Sequence, residues 1–349
     1  MQIEEKQVKP DIKSMLPEEI KSAPALSGEP QYRAGQIFKW LSTGVTSFDE
    51  MTDLSKTLRT KLKDNFTLNT PVLIKKQISK KDASEKYLWR HTDDNTSETV
   101  VMKYKHGNAV CVSTQVGCKM GCVFCASAIG GFIRDLTPSE MLDEVIFSEA
   151  EYKKQISRIV LMGIGEPLDN YDNVVKFIKL VNHKDGKNIG MRRISLSTCG
   201  LTEKFDKLGE LNLQLTLSVS LHAPDDETRS ALMPINKSRG TEDLFSACRK
   251  YFANTGRRIT FEYTMIDGVN DSREQAALLA EKLKETNAHL NLIPLNIVNE
   301  REFRPSSKEN MLNFIKILEE SGANVTVRRS LGGDVDASCG QLRIRSAQT

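Results

Sequence analysis

The sequence predicts an α/β fold in which short strands alternate with helices, preceded by a small helical region. From about residue 98 onward, short apolar runs alternate with stretches of helical periodicity, which gives six to seven strand–helix units. Before them, helical spacing extends to about residue 67. Repeated strand–helix units imply parallel strands joined by right-handed crossovers. We therefore expect a partial or full β/α barrel.

The composition of the chain excludes several other classes. Its 349 residues contain seven cysteines and 39% hydrophobic residues, which argues against a disulfide-stapled secreted mini-protein and against wholesale disorder. No run of 18 apolar residues occurs, and the first fifteen residues lack the apolar centre of a signal peptide. We therefore expect a cytoplasmic protein with no membrane span. A net charge of +3 is too small to coat nucleic acid, so RNA binding would need basic residues concentrated on one face.

The N-terminal part of the chain is predicted to be a helical unit followed by a basic, strand-like segment. Four apolar residues in the helical unit have helical spacing: Ile37, Phe38, Trp40 and Leu41. Residues 71–90 interleave lysines with apolar residues in a strand-like pattern. Two interpretations of this segment stay open. It is either a solvated edge hairpin or an RNA-facing ribbon whose lysines contact phosphates.

The later elements follow in order, each from its own pattern. Thr137, Pro138 and Glu140 predict a helix start, with an N-cap, a proline at the first helical position and the closing residue of a capping box. Thr241 is a second predicted N-cap, and Gly322 is expected to end the last helix. The predicted strands are 110–113, 159–162, 194–197, 215–220, 259–265, 290–293 and 325–327. The predicted helices after that at Thr137 are 172–182, 204–208, 241–252, 273–285 and 309–320.

Three of the cysteines fall within eight residues, with C-x3-C-x2-C spacing at Cys118, Cys122 and Cys125. Thiols this close can surround one metal centre from a single loop. A structural zinc site takes four ligands, and no nearby cysteine or histidine pair supplies the fourth. Three thiolates on a four-iron cluster would leave one iron open to bind a substrate or cofactor. Buried free thiols are the interpretation kept for Cys199 and Cys248.

Glycines and polar residues gather where the predicted strands end. Because sites in parallel α/β folds lie at the carboxyl ends of strands, we expect these residues to lie close together. Gly163 and Gly165 would allow a close approach of the backbone to a ligand. The candidate binding residues at these ends are Gly165, Glu166, Ser197, Ser220, Leu221, His222 and Asn296.

The order of these motifs resembles the RlmN/Cfr family of radical S-adenosylmethionine (SAM) RNA methyltransferases over about residues 30–345. The resemblance implies a partial (β/α)6-type radical SAM barrel over residues 105–349, a small N-terminal helical accessory domain for RNA binding over residues 1–67, and a basic strand-rich extension over residues 68–104. The motifs that carry it are Tyr32-Arg-Ala-Gly-Gln, Phe48-Asp-Glu-Met-Thr, Glu98-Thr-Val, Cys111-Val-Ser-Thr-Gln-Val-Gly-Cys118, Phe124-Cys125, Met162-Gly-Ile-Gly-Glu-Pro-Leu168, Ser197-Thr, Ser220-Leu-His-Ala-Pro224, Met233-Pro-Ile-Asn236, Gly268-Val-Asn-Asp271, Asn291-Leu-Ile-Pro294 and Asp336-Ala-Ser-Cys-Gly-Gln-Leu342.

The same resemblance implies cofactors and residue roles. One [4Fe-4S] cluster would be bound by the cysteine triplet, and two SAM molecules would be used per turnover at the strand-end residues named above. Cys339 would carry a methyl group, and Cys111 would resolve a covalent protein–RNA adduct by forming a disulfide with Cys339. Glu98 would be the proton acceptor.

The resemblance also implies substrates and partners. The expected reaction is methylation of C2 of adenosine 2503 in 23S rRNA and of adenosine 37 in some tRNAs, with a low-potential electron donor such as flavodoxin or ferredoxin. Pro167 and residues 48–53 favour C2 over the Cfr-type alternative, methylation at C8. An alternative of a different class is a non-catalytic iron–sulfur or zinc protein that binds RNA.

Overall fold

The N-terminal region is helical, as its spacing predicts. The computed structural model describes residues 9–298, 300–328, 335 and 341–343, so Cys339 lies outside the described residues. Ile37, Phe38 and Leu41 are buried, whereas Trp40 is half-buried and donates a hydrogen bond from Nε1 to Asp53 at 2.5 Å. The helices of this region are α1 (Pro17–Ser22), α2 (Tyr32–Leu41) and α3 (Lys56–Asn65).

Four strands follow the helices, and each pairs antiparallel with the next. They are β1 (Val72–Ile78), β2 (Glu85–Arg90), β3 (Thr96–Tyr104) and β4 (Gly107–Cys111). The basic segment is thus a hairpin at one end of the strand order, where Val72, Ile74 and Ile78 are exposed. A separate two-stranded sheet, β5 (Gln115–Gly117) with β6 (Phe132–Asp135), encloses the cysteine triplet in sequence and was not predicted.

Strands and helices then alternate to the end of the last strand. The elements are α4 (Pro138–Tyr152), β7 (Ile156–Leu161), α5 (Tyr171–Asn182), β8 (Ile194–Thr198), α6 (Phe205–Glu210), β9 (Thr216–Ser220), α7 (Asp226–Leu232), α8 (Thr241–Thr255), β10 (Thr260–Met265), α9 (Arg273–Lys284), β11 (His289–Pro294), α10 (Lys308–Glu320) and β12 (Asn324–Val327).

One ten-stranded sheet contains every strand except β5 and β6. Its order is β1-β2-β3-β4-β7-β8-β9-β10-β11-β12, and all pairings from β4 to β12 are parallel. Among the described residues, β1 and β12 are the two ends of this order and do not pair with each other. The sheet is therefore a partial barrel, which confirms the predicted α/β class and its parallel strands. The seven parallel strands agree with the six to seven expected units.

Several local predictions are confirmed and others are wrong. Thr137 caps α4, because its Oγ1 accepts from the Glu140 amide at 3.3 Å and the Glu140 carboxylate accepts from the Thr137 amide at 2.9 Å. Gly322 follows α10 with φ +85°, as a C′ glycine does. The N-cap of α8 is Gly240 rather than Thr241, and this helix runs beyond the predicted end at residue 252. Helix α7 was not predicted, since seven residues are too few to show a helical period.

The N-terminal helices are tied to the barrel through a buried ion pair. Lys13 Nζ lies 2.7 and 3.0 Å from the two carboxylate oxygens of Asp143 on α4, and also donates to the carbonyl of Asn69 at 2.8 Å. Both charged side chains are almost completely buried. This pair fixes the helical region against the outside of the sheet. Within the part of the chain that the structure describes, no helix is both long enough and apolar enough to cross a membrane.

Candidate active site

The carboxyl ends of the parallel strands surround a cavity of about 340 Å³. Ten of the thirteen predicted site residues line it, and they come from β4, β8 and β9 and from the segments that follow β4, β7, β9 and β11. Glu98 and Leu221 do not line it, and Cys339 lies outside the described residues. The ten are Cys111, Cys118, Cys122, Cys125, Gly165, Glu166, Ser197, Ser220, His222 and Asn296.

The cysteine triplet lies on a loop held by main-chain hydrogen bonds at both ends. The Cys118 amide donates to the carbonyl of Gly131 at 2.9 Å, and the Val123 amide donates to the carbonyl of Leu232 on α7 at 3.0 Å. Burial raises the pKa of the Cys118 thiol to about 12 and also raises that of Cys122. Both thiols therefore stay protonated at neutral pH unless they bind a metal centre, which displaces the proton.

The residues around the triplet fit an iron–sulfur cluster. The Ser127 hydroxyl is buried in the same wall and has no hydrogen-bond partner among the described residues, so it is available to donate to a sulfide. No three His, Cys, Asp or Glu side chains of the described residues converge as they would around a single ion. Each cysteine of a four-iron cluster binds a different iron atom, so the cluster requires three thiols on one wall, and the cavity provides them.

The turn after β7 needs glycine at two positions. A Cβ on Gly163 would lie 2.6 Å from the carbonyl oxygen of Val112, and Gly165 has φ +108°, which L side chains rarely adopt. The Glu166 carboxylate accepts from the amides of Leu168 at 3.0 Å and Cys199 at 2.7 Å. Burial raises the pKa of Glu166. The carboxylate thus locks the turn to the end of β8, and residues 165–166 line the cavity.

His222 is a neutral donor at the end of β9. Its Nδ1 accepts from the Thr264 amide at 2.9 Å, and the ring of Phe124 meets it edge-on with centroids 4.9 Å apart. Burial, with the charge of Arg229 nearby, lowers the pKa of His222 to about 3. Because Nδ1 is an acceptor and the ring is uncharged, the proton is on Nε2, which can donate to a ligand.

Glu98 and Leu221 are not among the residues that line the cavity. Glu98 shares a face of β3 with Val100, whose partner on β4 is the cavity residue Cys111. The carboxylate of Glu98 forms a buried ion pair with Lys86 at 2.9 Å and accepts from the Arg343 amide at 2.5 Å.

Leu221 contributes through its main chain only. Its side chain is fully buried, its amide donates to the carbonyl of Glu262 at 3.0 Å, and its carbonyl accepts from Arg229 Nε at 3.1 Å. It therefore ties the end of β9 to β10 beside the cavity.

Three further residues in the cavity wall were not predicted to have a role there. Glu262 is a buried carboxyl whose Oε2 accepts from Asn291 Nδ2 at 2.8 Å, and burial raises its pKa while Arg328 opposes that rise. The available signal in the sequence was a charged residue within a predicted strand of uncharged residues. Cys199, interpreted as a buried free thiol, is buried but also lines the cavity, and Arg328 lines it as well. Cys248 is a buried thiol on α8, as interpreted.

Comparison with known proteins agrees with this site. Residues 112–280 match the family model of the Radical SAM superfamily, and residues 12–68 match that of the Ribosomal RNA large subunit methyltransferase N-terminal domain. The crystal structure of a radical SAM methyltransferase from Sphaerobacter thermophilus superposes with a TM-score of 0.90 at 40% sequence identity, covering 95% of this chain and 98% of that one. The fold and the cysteine-lined cavity define a radical SAM enzyme, a class that binds a [4Fe-4S] cluster and SAM.

The particular family follows from two relatives. A protein of Caldanaerobacter subterraneus subsp. tengcongensis named probable dual-specificity RNA methyltransferase RlmN is 51% identical over 334 residues, which is 95% of this chain and 97% of that protein. A protein of the same name from Lachnospira eligens is 48% identical over 334 residues, 95% of each chain. The chain belongs to the RlmN family.

Proposed function

We propose that this chain is a dual-specificity RNA methyltransferase that methylates C2 of adenosine 2503 in 23S rRNA and of adenosine 37 in some tRNAs. The observation that carries the proposal is the single cavity in which the cysteine triplet and Cys111 meet the strand-end residues. Family membership supports it, because relatives named RNA methyltransferases match 95% of the chain.

The residues of the cavity fit an iron–sulfur cluster and SAM. Cys118, Cys122 and Cys125 would hold one [4Fe-4S] cluster, and when bound the cluster and SAM supply radical chemistry, with two SAM molecules used per turnover. The neutral His222 would donate from Nε2 to an acceptor on SAM. The other proposed SAM residues are Gly165, Glu166, Ser197, Ser220, Leu221 and Asn296.

Three residues of the chain would take part in the methyl transfer itself. Cys339 would accept the methyl group and become joined to the RNA, Cys111 would release the adduct by forming a disulfide with Cys339, and Glu98 would accept the proton from adenine C2. Two observations support these roles. Cys111 lines the cavity, and Glu98 lies on the face of β3 whose residue Val100 pairs with Cys111.

The division into residues 1–67, 68–104 and 105–349 is also part of the proposal. The match of residues 12–68 to an rRNA methyltransferase N-terminal domain supports an RNA-gripping role for the helical unit. The electron donor would be a flavodoxin or ferredoxin.

The adduct gives a direct test of the role of Cys111. We expect the Cys111→Ala variant to accumulate a covalent protein–RNA species, because nothing releases Cys339 from the base. Denaturing gel electrophoresis with labelled RNA measures it. Cys248→Ala is the matched control, since this thiol is buried outside the cavity, and it should leave no adduct. Normal turnover by Cys111→Ala would refute the resolving role.

The substrate is tested in cells. Nucleoside mass spectrometry of rRNA from a deletion strain should show the loss of one methyl group at C2 of adenosine 2503, restored by complementation. An unchanged methylation map would refute the proposal, and loss at C8 would favour the Cfr-type reaction. A purified protein that is colourless and contains zinc would favour the non-catalytic alternative.

A further inference from the structure

Arg229, on α7, is an almost completely buried cation, and its hydrogen bonds within the described part of the chain end on neutral oxygens. Nε donates to the carbonyl of Leu221 at 3.1 Å, and Nη1 donates to Asn236 Oδ1 at 2.6 Å. Nη2 donates to the carbonyls of Cys199 at 2.8 Å and Ser220 at 3.0 Å. The guanidinium thus joins the carboxyl ends of β8 and β9.

The same side chain lies directly behind the cluster wall. Its neighbour on α7, Leu232, accepts the Val123 amide of the cysteine loop, and Cys199 lines the cavity together with Cys122. Gly200 has φ +105°, and a Cβ there would lie 2.8 Å from Leu244 Cδ1 and, at an ordinary contact distance, 3.5 Å from Arg229 Nη2. The residues that follow β8 therefore lie beside the guanidinium.

A buried charge requires compensation, and none of the described groups bonded directly to Arg229 carries a negative charge. Asp226 is reached only through Asn236, whose Nδ2 donates to Asp226 Oδ1 at 3.0 Å. Burial lowers the pKa of Arg229, and negative charge on Cys199 or Cys122 would oppose that shift more strongly than the charge of Asp226 does. A four-iron cluster with three thiolates carries a net charge of about −1 when oxidised and about −2 when reduced.

We propose that Arg229 is a positioning residue that raises the reduction potential of the cluster by placing a fixed positive charge behind Cys122 and Cys199. One electron from a low-potential donor converts the cluster from the 2+ to the 1+ state, and the donor loses one electron. The added negative charge would be stabilised by the guanidinium, because the buried side chain of Arg229 is poorly screened by solvent. The inference rests on the cluster that the family binds and not on which RNA atom is methylated.

The potential of the cluster tests this inference. Anaerobically reconstituted full-length protein is titrated with dithionite, without SAM or RNA, and the reduced cluster is followed by electron paramagnetic resonance. We expect Arg229→Met to lower the equilibrium constant for one-electron reduction at least tenfold, which corresponds to a shift of 59 mV to more negative potential. Arg229→Lys, which keeps the charge, should recover most of this loss.

Two further variants keep the result interpretable. Arg229→Gln is also neutral but retains a donor for the carbonyls, so it can be titrated if Arg229→Met does not fold, and the same decrease is expected. Arg249→Met on α8 removes the same charge from a solvent-accessible ion pair, and we expect the potential to stay unchanged. A neutral Arg229 variant that binds the cluster with the wild-type potential would overturn the inference alone. A wild-type protein that binds no cluster would overturn the proposed function as well.

Discussion

Two buried basic side chains, one beside the N-terminal helices and one at the carboxyl ends of the strands, have opposite surroundings. Lys13, between the N-terminal helices and the outside of the barrel, pairs with a carboxylate, Asp143, at 2.7 Å. The hydrogen bonds that Arg229, at the barrel mouth, makes to residues the structure describes go to carbonyl and amide oxygens. The first charge is balanced by the chain itself, whereas the second is best balanced by an anionic group in the cavity. Buried charge is therefore structural at the Lys13 site and directed toward a cofactor at the Arg229 site.

The largest expected effect on stability comes from breaking the Lys13 pair. Lys13→Met leaves Asp143 buried without its cation, and we expect the free energy of unfolding to fall by about 3–5 kcal/mol. Urea denaturation of the cluster-free protein at pH 7.5 measures it. Lys21→Met, which removes an exposed lysine from the same helical region, should change stability by less than about 0.5 kcal/mol. The double variant Lys13→Met/Asp143→Leu should recover most of the loss, and a loss equal to that of the single variant would contradict a balanced pair.

A second prediction concerns Glu144, a buried carboxyl on α4 whose partners are the Ser113 amide and the hydroxyls of Ser97 and Thr99. Burial raises the pKa of Glu144 to about 8, from an ordinary value of 4.5. The folded state therefore binds the extra proton between these two values, and the stability that the group contributes below pH 4.5 is lost as the pH rises through 8.

Glu144→Gln removes this dependence, because the amide stays neutral at every pH. We expect the variant to be more stable than the wild type by about 4 kcal/mol at pH 8.5 and by almost nothing at pH 4.5. Thermal unfolding at the two pH values measures the difference. Glu151→Gln, which changes an exposed glutamate of the same helix, should give the wild-type pH profile. A constant difference across the pH range would show that Glu144 is ionised in the folded protein.

The smallest effect is expected at the start of α4, the helix that carries Asp143. Thr137→Ala removes the side-chain acceptor of the Glu140 amide, and we expect a loss of about 1 kcal/mol in unfolding free energy. Thr137→Ser keeps the hydroxyl and should retain most of the stability. Equal losses in the two variants would mean that the cap contributes through the methyl group instead.

The sequence sufficed to predict the parallel barrel and most of its site because the relevant signals are local. The cysteine triplet lies within eight residues of sequence. The Gly163–Glu166 turn and His222 follow predicted strands whose carboxyl ends must meet. The charged residues within the structure were harder to predict. Arg229 lies on a seven-residue helix with no period, and its burial depends on carbonyls from β8 and β9. The Lys86–Glu98 pair likewise depends on strand register, which periodicity alone does not determine.

In the proposed function, the protein methylates C2 of an adenine in RNA that binds at this cavity. The most direct test incubates the anaerobically reconstituted full-length protein with SAM, a one-electron reductant and an rRNA fragment that contains adenosine 2503. The RNA is then digested to nucleosides for mass spectrometry. We predict 2-methyladenosine at that position, and none with the Cys122→Ala variant, which lacks a cluster ligand. Formation of 8-methyladenosine, or unmodified RNA from a protein that holds its cluster and cleaves SAM, would contradict the claim.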